Sequence, residues 1–73
     1  MESDEMMLER LFTYHPPKGD QNGRYDRISV AAQDFAQTIL ECAPSCEDRW
    51  IAINKVREAR MMANAAIACN ELQ

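Results

Sequence analysis

The sequence is poor in the residues that strand-rich folds use. Only two of its 73 residues are glycine, and aromatic residues make up 7% of the chain. A fold of many strands and tight turns is therefore disfavoured, whereas the 47% of hydrophobic residues fit a helical protein. We predict an all-α fold in which residues 1–73 form a single domain.

The sequence also lacks a long apolar run and an apolar segment at its start. We therefore expect neither a membrane span nor a secretory leader, and we predict a cytoplasmic protein with no membrane partner. Its three cysteines are an odd set, which fits a reducing compartment. Cys42 and Cys46 flank a Pro-Ser turn and are near enough in sequence to oxidise, but buried thiols on helices are the favoured interpretation for all three, Cys69 included.

Charge of one sign is not concentrated enough to bind a nucleic-acid polymer. The chain has 12 acidic and 8 basic residues, a net charge of -4, and no run of five like charges. Binding to DNA or RNA polymers is therefore disfavoured. Acidic residues crowd positions 2–9, whereas the basic residues Lys18, Arg24 and Arg27 follow, so a local anion site remains possible.

Residues arranged for catalysis or cofactor binding are missing as well. His15 is the only histidine and has no serine or cysteine near it in sequence, and a zinc site would need more histidines or a CxxC pair. Gly19 and Gly23 match neither a dinucleotide-binding fingerprint nor a P-loop. We predict a non-enzymatic protein without cofactor or metal, and a hydrolase or nuclease is the least favoured class.

Apolar spacing predicts three helices, at about residues 2–12, 24–43 and 46–72, with a loop over residues 13–23. Pro16 and Pro17 prevent a helix in the loop. The first helix is too short to be stable alone, so its apolar side must pack against something, such as a neighbouring subunit.

The second and third helices are predicted to form an antiparallel hairpin from about Arg24 to Asn70. Pro44 and Ser45 end the second helix, and Ser45 with Asp48 suggests a capping box for the third. Such a short connection places the two helices side by side. Each helix has a stripe of apolar residues at three- and four-residue steps: Ile28, Ala32, Phe35, Ile39 and Cys42 on one, and Ala52, Val56, Ala59, Ala63 and Ala66 on the other.

A domain of 73 residues buries a small fraction of its surface, so we expect a homo-oligomer. Met61 and Met62 either meet another chain or fill the core; the sequence favours neither.

The loop is the best candidate for a binding site, because Tyr14, His15 and Lys18 lie within five residues of one another. Two motifs stand out: FTYHPP at residues 12–17, followed by Tyr25 at the start of the hairpin, and ANAAIA at residues 63–68. In this order around a Pro-Ser turn, they resemble the small phage proteins of the anti-CBASS sponge family, which share a hairpin domain with a class of anti-Thoeris sponges. The resemblance extends over residues 11–71.

The resemblance implies an all-helical subunit of a hexamer that binds cyclic di- and trinucleotide second messengers between subunits. Such a protein sequesters the messengers without cleaving them, so the host's immune effector is deprived of its activator. The family's loop tyrosine stacks on a base, and the matching residue is Tyr14. We expect His15 and Pro16 to shape the pocket, and Lys18, Arg24 or Arg27 to face phosphate.

The chain departs from the family pattern at two positions. Ser29 stands where the family usually has a lysine or arginine, and Cys69 stands where an arginine associated with cyclic trinucleotides often follows ANAAIA. Ser29 is therefore expected to weaken phosphate pairing, and Cys69 is expected to alter or remove the trinucleotide site. An alternative function is a helical protein-protein interaction module without a nucleotide ligand, in which Tyr14 only anchors the loop.

Overall fold

The computed structural model describes residues 1–71, which form three α-helices. Helix α1 is Asp4–Phe12, α2 is Gln21–Cys42 and α3 is Glu47–Asn70. These residues contain no strand, which confirms the predicted all-α fold with a short helix before two long ones.

Helix α1 has a defined start and end. The Ser3 hydroxyl accepts a hydrogen bond from the Met6 amide at 3.2 Å, which caps the helix. Asp4 and Glu5 lie in the first turn, where their negative charges interact favourably with the positive end of the helix dipole. Thr13 is extended and ends the helix after Phe12, as predicted. The helix starts at Asp4, so the predicted start at residue 2 is two residues early.

Helix α2 starts at Gln21, and the predicted start at about residue 24 is wrong. Gly19 has a φ of 57°, a left-handed conformation that suits glycine, and it reverses the chain. The Gln21 amide then donates to the Lys18 carbonyl at 3.1 Å. Because the turn is complete by residue 20, Gly23 lies within the helix, and the loop is shorter than the predicted 13–23.

The turn between α2 and α3 lies at residues 43–46. Ala43 is extended, as expected before Pro44, and it ends α2 one residue before the predicted position 43. Cys46 occupies the cap position of α3, and no side chain caps this helix. The predicted Ser45–Asp48 capping box is therefore wrong, because Ser45 lies one residue outside the cap.

Contacts at both ends of the hairpin show that α2 and α3 run antiparallel. Arg49, in the first turn of α3, donates to the carbonyls of Leu40 and Ala43 at 3.4 and 3.3 Å. At the opposite end, Gln21 contacts Glu71. Helix α3 ends at Asn70 rather than near 72; Leu72 lies outside the described residues.

The chain has almost no core of its own. Of residues 1–71, only Gln21 and Cys69 are buried, at 5% and 8% exposure. The prediction of a buried thiol is confirmed for Cys69 and wrong for Cys42 and Cys46, because both flank the solvent-exposed turn of the hairpin. Many large apolar side chains are exposed, among them Met7, Leu8, Leu11, Phe12, Val30, Phe35, Leu40, Trp50, Ile51, Met61 and Met62.

The apolar stripes of α2 and α3 line one shared groove of about 580 Å³. Ile28, Phe35 and Ile39 contribute from α2, and Ala52 and Val56 contribute from α3. The groove is open to solvent, and its Phe35 side chain is 59% exposed. Two helices of a single chain therefore leave much of their common apolar surface uncovered. None of the described helices is long and apolar enough to span a membrane.

Candidate functional site

The loop between α1 and α2 is fastened to the helices at both of its ends. At the α1 end, Nε2 of His15 lies 2.7 Å from the carbonyl oxygen of Arg10. A carbonyl only accepts, so Nε2 must carry the hydrogen and donate it. The half-buried imidazole thus holds the loop against the end of α1, and Nδ1 is left as an acceptor when the ring is neutral.

Arg10 joins α1 to the end of α3. Its Nε and Nη2 donate to the Glu2 carboxylate at 2.7 and 3.0 Å, and its Nη1 donates to the Asn70 side-chain oxygen at 3.1 Å. The pair with Arg10 lowers the pKa of Glu2 and raises the pKa of Arg10. Sequence reasoning missed this role, because neither partner of Arg10 stands three or four residues away on one helix face.

A second cluster fastens the α2 end of the loop. Nη1 and Nη2 of Arg24 donate to the two oxygens of Glu71 at 2.9 and 2.5 Å, and Asp20 lies 3.1 Å from the same guanidinium. Gln21 donates from Nε2 to Glu71 at 3.3 Å and accepts from the Lys18 amide at 3.1 Å. One carboxylate, one arginine and one buried amide therefore connect the loop, α2 and the end of α3.

These interactions have a clear electrostatic signature. Hydrogen bonds from Arg24 and then from Gln21, together with the nearby charges of Arg24 and Lys18, lower the pKa of Glu71 to about 2. The same pair raises the pKa of Arg24. Sequence reasoning missed Gln21 and Glu71, since contacts over 50 and 47 positions leave no periodic signal.

The two clusters bound an open cavity of about 530 Å³. His15, Pro16 and Lys18 line it from the loop, and their neighbours in its wall are Glu2, Met6, Glu9, Arg10, Thr13, Gln21, Ala68 and Glu71. A smaller adjoining cavity of about 270 Å³ is lined by Lys18 and Arg24, among others. Four of the six predicted site residues thus lie around one region at the open end of the hairpin.

The remaining two predicted site residues lie elsewhere. Tyr14 lines neither cavity, and its side chain is 79% exposed. Arg27 is also exposed and lines neither. The structure therefore does not bring Tyr14 or Arg27 to the cavity of their own chain.

A basic pair lies beside Ser29, on another part of the hairpin. Ser29 and Gln33 of α2 line a shallow cavity of about 230 Å³ together with Arg57 and Arg60 of α3. Within residues 1–71 neither arginine forms an ion pair. Positive charge near Ser29 therefore comes from the opposite helix, which the sequence alone did not indicate.

The described residues hold no cluster of three or more His, Cys, Asp or Glu side chains placed to bind a metal ion. Three carboxylates, two basic side chains, the Gln21 amide and the half-buried His15 imidazole line the cavity of about 530 Å³, together with small apolar surfaces. Arginine and lysine donors of this kind bind carboxylates and phosphates.

A comparison with known proteins identifies the family of this chain. No curated protein and no solved structure matches the chain. The family model described as "Acb2/Tad1, hairpin domain" matches residues 7–68, a range that includes most of α1, the loop and nearly all of the hairpin. This match confirms the resemblance carried by FTYHPP and ANAAIA, and the chain belongs to the Acb2/Tad1 hairpin-domain family of sponge-type anti-defence proteins.

Proposed function

We propose that this chain is a phage anti-defence protein that binds cyclic oligonucleotide second messengers in the host cytoplasm and sequesters them without cleaving them. The working form is a homo-oligomer, which we take to be a hexamer, with cyclic dinucleotides as the main ligands. The whole chain, residues 1–73, acts as one domain without cofactor or metal.

One observation carries the proposal: in a member of this family, the FTYHPP loop borders a cavity of about 530 Å³ at the open end of the hairpin. This volume lies within the range of sites that bind small molecules. Lys18 and the Gln21 amide in the cavity wall, and Arg24 in the adjoining smaller cavity, supply donors of the kind that bind phosphate oxygens. His15 and Pro16 form part of the wall.

The position of Tyr14 supports a binding site shared between subunits. An exposed tyrosine that does not line its own cavity is free to stack on a base held by a neighbouring copy. Stacking on an aromatic ring contributes about 1–3 kcal/mol per base. Three carboxylates, against two basic side chains, line the cavity of one chain, so a phosphate bound there would need a further basic side chain, which a neighbouring copy would supply.

The scarcity of buried residues supports the homo-oligomer. Exposing this many large apolar side chains to water is unfavourable, and covering them with the surface of another subunit would stabilise the protein. The mostly apolar groove that includes Ile28, Phe35 and Val56 is the surface on which we expect a helix of another copy to pack. Arg57 and Arg60 near Ser29 are a further source of positive charge for a ligand that lies between subunits.

Isothermal titration calorimetry of the purified oligomer against a panel of cyclic di- and trinucleotides tests the proposal. We expect saturable binding of at least one cyclic dinucleotide and weaker binding of the matching linear dinucleotide. Because Cys69 stands where the family has the arginine associated with cyclic trinucleotides, we expect trinucleotides to bind more weakly or not at all. A well-folded oligomer that gives no heat with any cyclic ligand would contradict the proposal.

The exposed apolar side of α1 favours a second candidate, a helical module that binds a host protein. Met7, Leu11 and Phe12 are exposed on this helix, and Phe12 is 80% exposed. The two candidates differ in the effect of two substitutions. If the chain is an interaction module, Tyr14→Ala leaves the anti-defence activity intact and Leu11→Ala removes it; if the chain is a sponge, Tyr14→Ala reduces the activity.

A further inference from the structure

The carboxylate of Glu71 is bound in the way that proteins bind a small anion. Both of its oxygens accept from Arg24, at 2.9 and 2.5 Å, and one also accepts from Gln21 Nε2 at 3.3 Å. The two parallel bonds from one guanidinium are the bidentate geometry by which arginine recognises carboxylates and phosphates. A phosphate group could therefore take the same donors.

The donors are held in place without Glu71. Gln21 is 5% exposed, and its side-chain oxygen accepts from the Lys18 amide at 3.1 Å, which directs Nε2 towards Glu71. Arg24 is held from the other side by Asp20, with an Nε to Oδ1 distance of 3.2 Å. Replacing one anion by another at this site therefore does not require the donors to be rebuilt.

Glu71 itself is less constrained than its partners. It follows the last residue of α3, and its backbone angles, φ -124° and ψ 59°, are not helical. Its side chain is 42% exposed, against 34% for Arg24. Its carboxylate also lies between the two cavities described above, since Glu71 lines both of them.

We propose that Glu71 is an internal competitor for the phosphate of the ligand: Arg24 and Gln21 hold its carboxylate in the free protein and exchange it for a phosphate of the cyclic oligonucleotide. Glu71 then sets the affinity, because each binding event must first release it. This inference rests on the proposed function and adds to it a residue that tunes affinity without being needed for binding.

The test compares Glu71→Gln with the wild type in calorimetric titrations with the cyclic dinucleotide that binds best. Glutamine keeps the size of the side chain and removes its charge, so Arg24 becomes available to phosphate. We expect the variant to bind about fivefold more tightly, because the ligand no longer has to break an ion pair at the surface before it binds. Its affinity should also fall more steeply with salt, because more of the binding is then electrostatic.

Glu58→Gln is the matched control. Glu58 is an exposed glutamate on α3, 3.4 Å from Lys55, so the substitution makes the same change in net charge without touching the Arg24 cluster. We expect its affinity to equal that of the wild type. In an Arg24→Gln background, Glu71→Gln should bring no gain, because the arginine for which the two anions compete is gone.

The outcomes separate the two proposals. If the wild type binds and Glu71→Gln binds equally well or more weakly, Glu71 either only stabilises the fold or has no role in binding. The competitor role is then wrong, while the sponge function stands. If no cyclic oligonucleotide binds to the folded wild type or to either variant, the sponge function itself fails.

A second measurement needs no substitution and applies even if Glu71→Gln does not fold. Carbon-detected NMR of the wild-type side-chain carboxyls, recorded against pH, reports the pKa of Glu71 with and without saturating ligand. We expect its pKa to move from about 2 back towards 4.5 when ligand releases the carboxylate from Arg24. An unchanged low pKa in the saturated complex would overturn the inference.

Discussion

Arg10 and Asn70 lie 60 positions apart in sequence, and the guanidinium of Arg10 donates a hydrogen bond to the side-chain oxygen of Asn70 at 3.1 Å. Asn70 in turn donates to the Ala66 carbonyl at 3.0 Å, so its amide is held on the last turn of α3. The Arg10–Asn70 hydrogen bond therefore joins α1 directly to the end of α3. The wall of the candidate cavity depends on that junction.

The first prediction concerns this junction. Arg10→Ala removes the bonds to both Glu2 and Asn70, so α1 should open from α3 more often. Hydrogen exchange should become about two- to fivefold faster at the amides of α1 and stay unchanged in the middle of α2 and α3. Arg57→Ala is the control, because Arg57 forms no ion pair within residues 1–71. Equal exchange in the α1 of Arg10→Ala and wild type would contradict this role.

The second prediction concerns Tyr14. Since its side chain is 79% exposed, Tyr14→Ala should leave the melting temperature of the ligand-free protein nearly unchanged. Binding of cyclic dinucleotides should weaken by about 1–3 kcal/mol, the usual contribution of one stacked base, as measured by calorimetry. Tyr14→Phe keeps the aromatic face and should bind like the wild type. If alanine is tolerated as well as phenylalanine, Tyr14 does not stack.

The third prediction concerns the groove between α2 and α3. Phe35→Asp places a charge in the middle of this apolar surface and should weaken the association of subunits, since burying a phenylalanine contributes about 1.5–3 kcal/mol. Sedimentation equilibrium should then show species lighter than the assembly of several 8.4 kDa chains. Gln37→Asp adds a charge at an exposed position outside the groove and should keep the wild-type mass. A Phe35→Asp variant with the wild-type mass would show that this groove is not an interface.

Much of the fold could be predicted because its signals are local. Apolar steps of three and four residues, the prolines of the loop and the Pro44 turn together locate three helices and the hairpin. The errors lie at the helix ends. The start of α2 depends on the left-handed turn at Gly19 and on the Gln21 to Lys18 hydrogen bond, and neither feature has a periodic signal.

The site could be predicted only in part, for a physical reason. The loop motif indicated His15, Pro16 and Lys18, which do line the cavity. The partners that give the region its electrostatics, Gln21 and Glu71, meet through the antiparallel return of the chain, and their contact spans 50 positions. Such a pairing depends on the register of two helices rather than on any local pattern of residues.

The fourth prediction is a dependence of stability on pH. The pKa of Glu71 is lowered in the folded protein from 4.5 to about 2, chiefly by its hydrogen bonds to Arg24. A lowered pKa means that the ionised group favours the folded state, so its contribution is present above pH 4.5 and is lost as the pH falls towards 2. Wild type should therefore melt at a higher temperature than Glu71→Gln at pH 6, and the difference should disappear near pH 2. A difference that is the same at both pH values would show that the carboxylate does not stabilise the fold through its charge.

The central claim, sequestration without cleavage, is tested most directly by recovering the ligand. A cyclic dinucleotide that binds in calorimetry is incubated with a molar excess of the protein and passed through a filter that retains the oligomer. The retained fraction is then denatured, and the released nucleotide is identified by chromatography and mass spectrometry. We predict that nearly all of the ligand stays with the protein and is recovered as the intact cyclic molecule; free ligand in the filtrate, or linear product after denaturation, would contradict the claim.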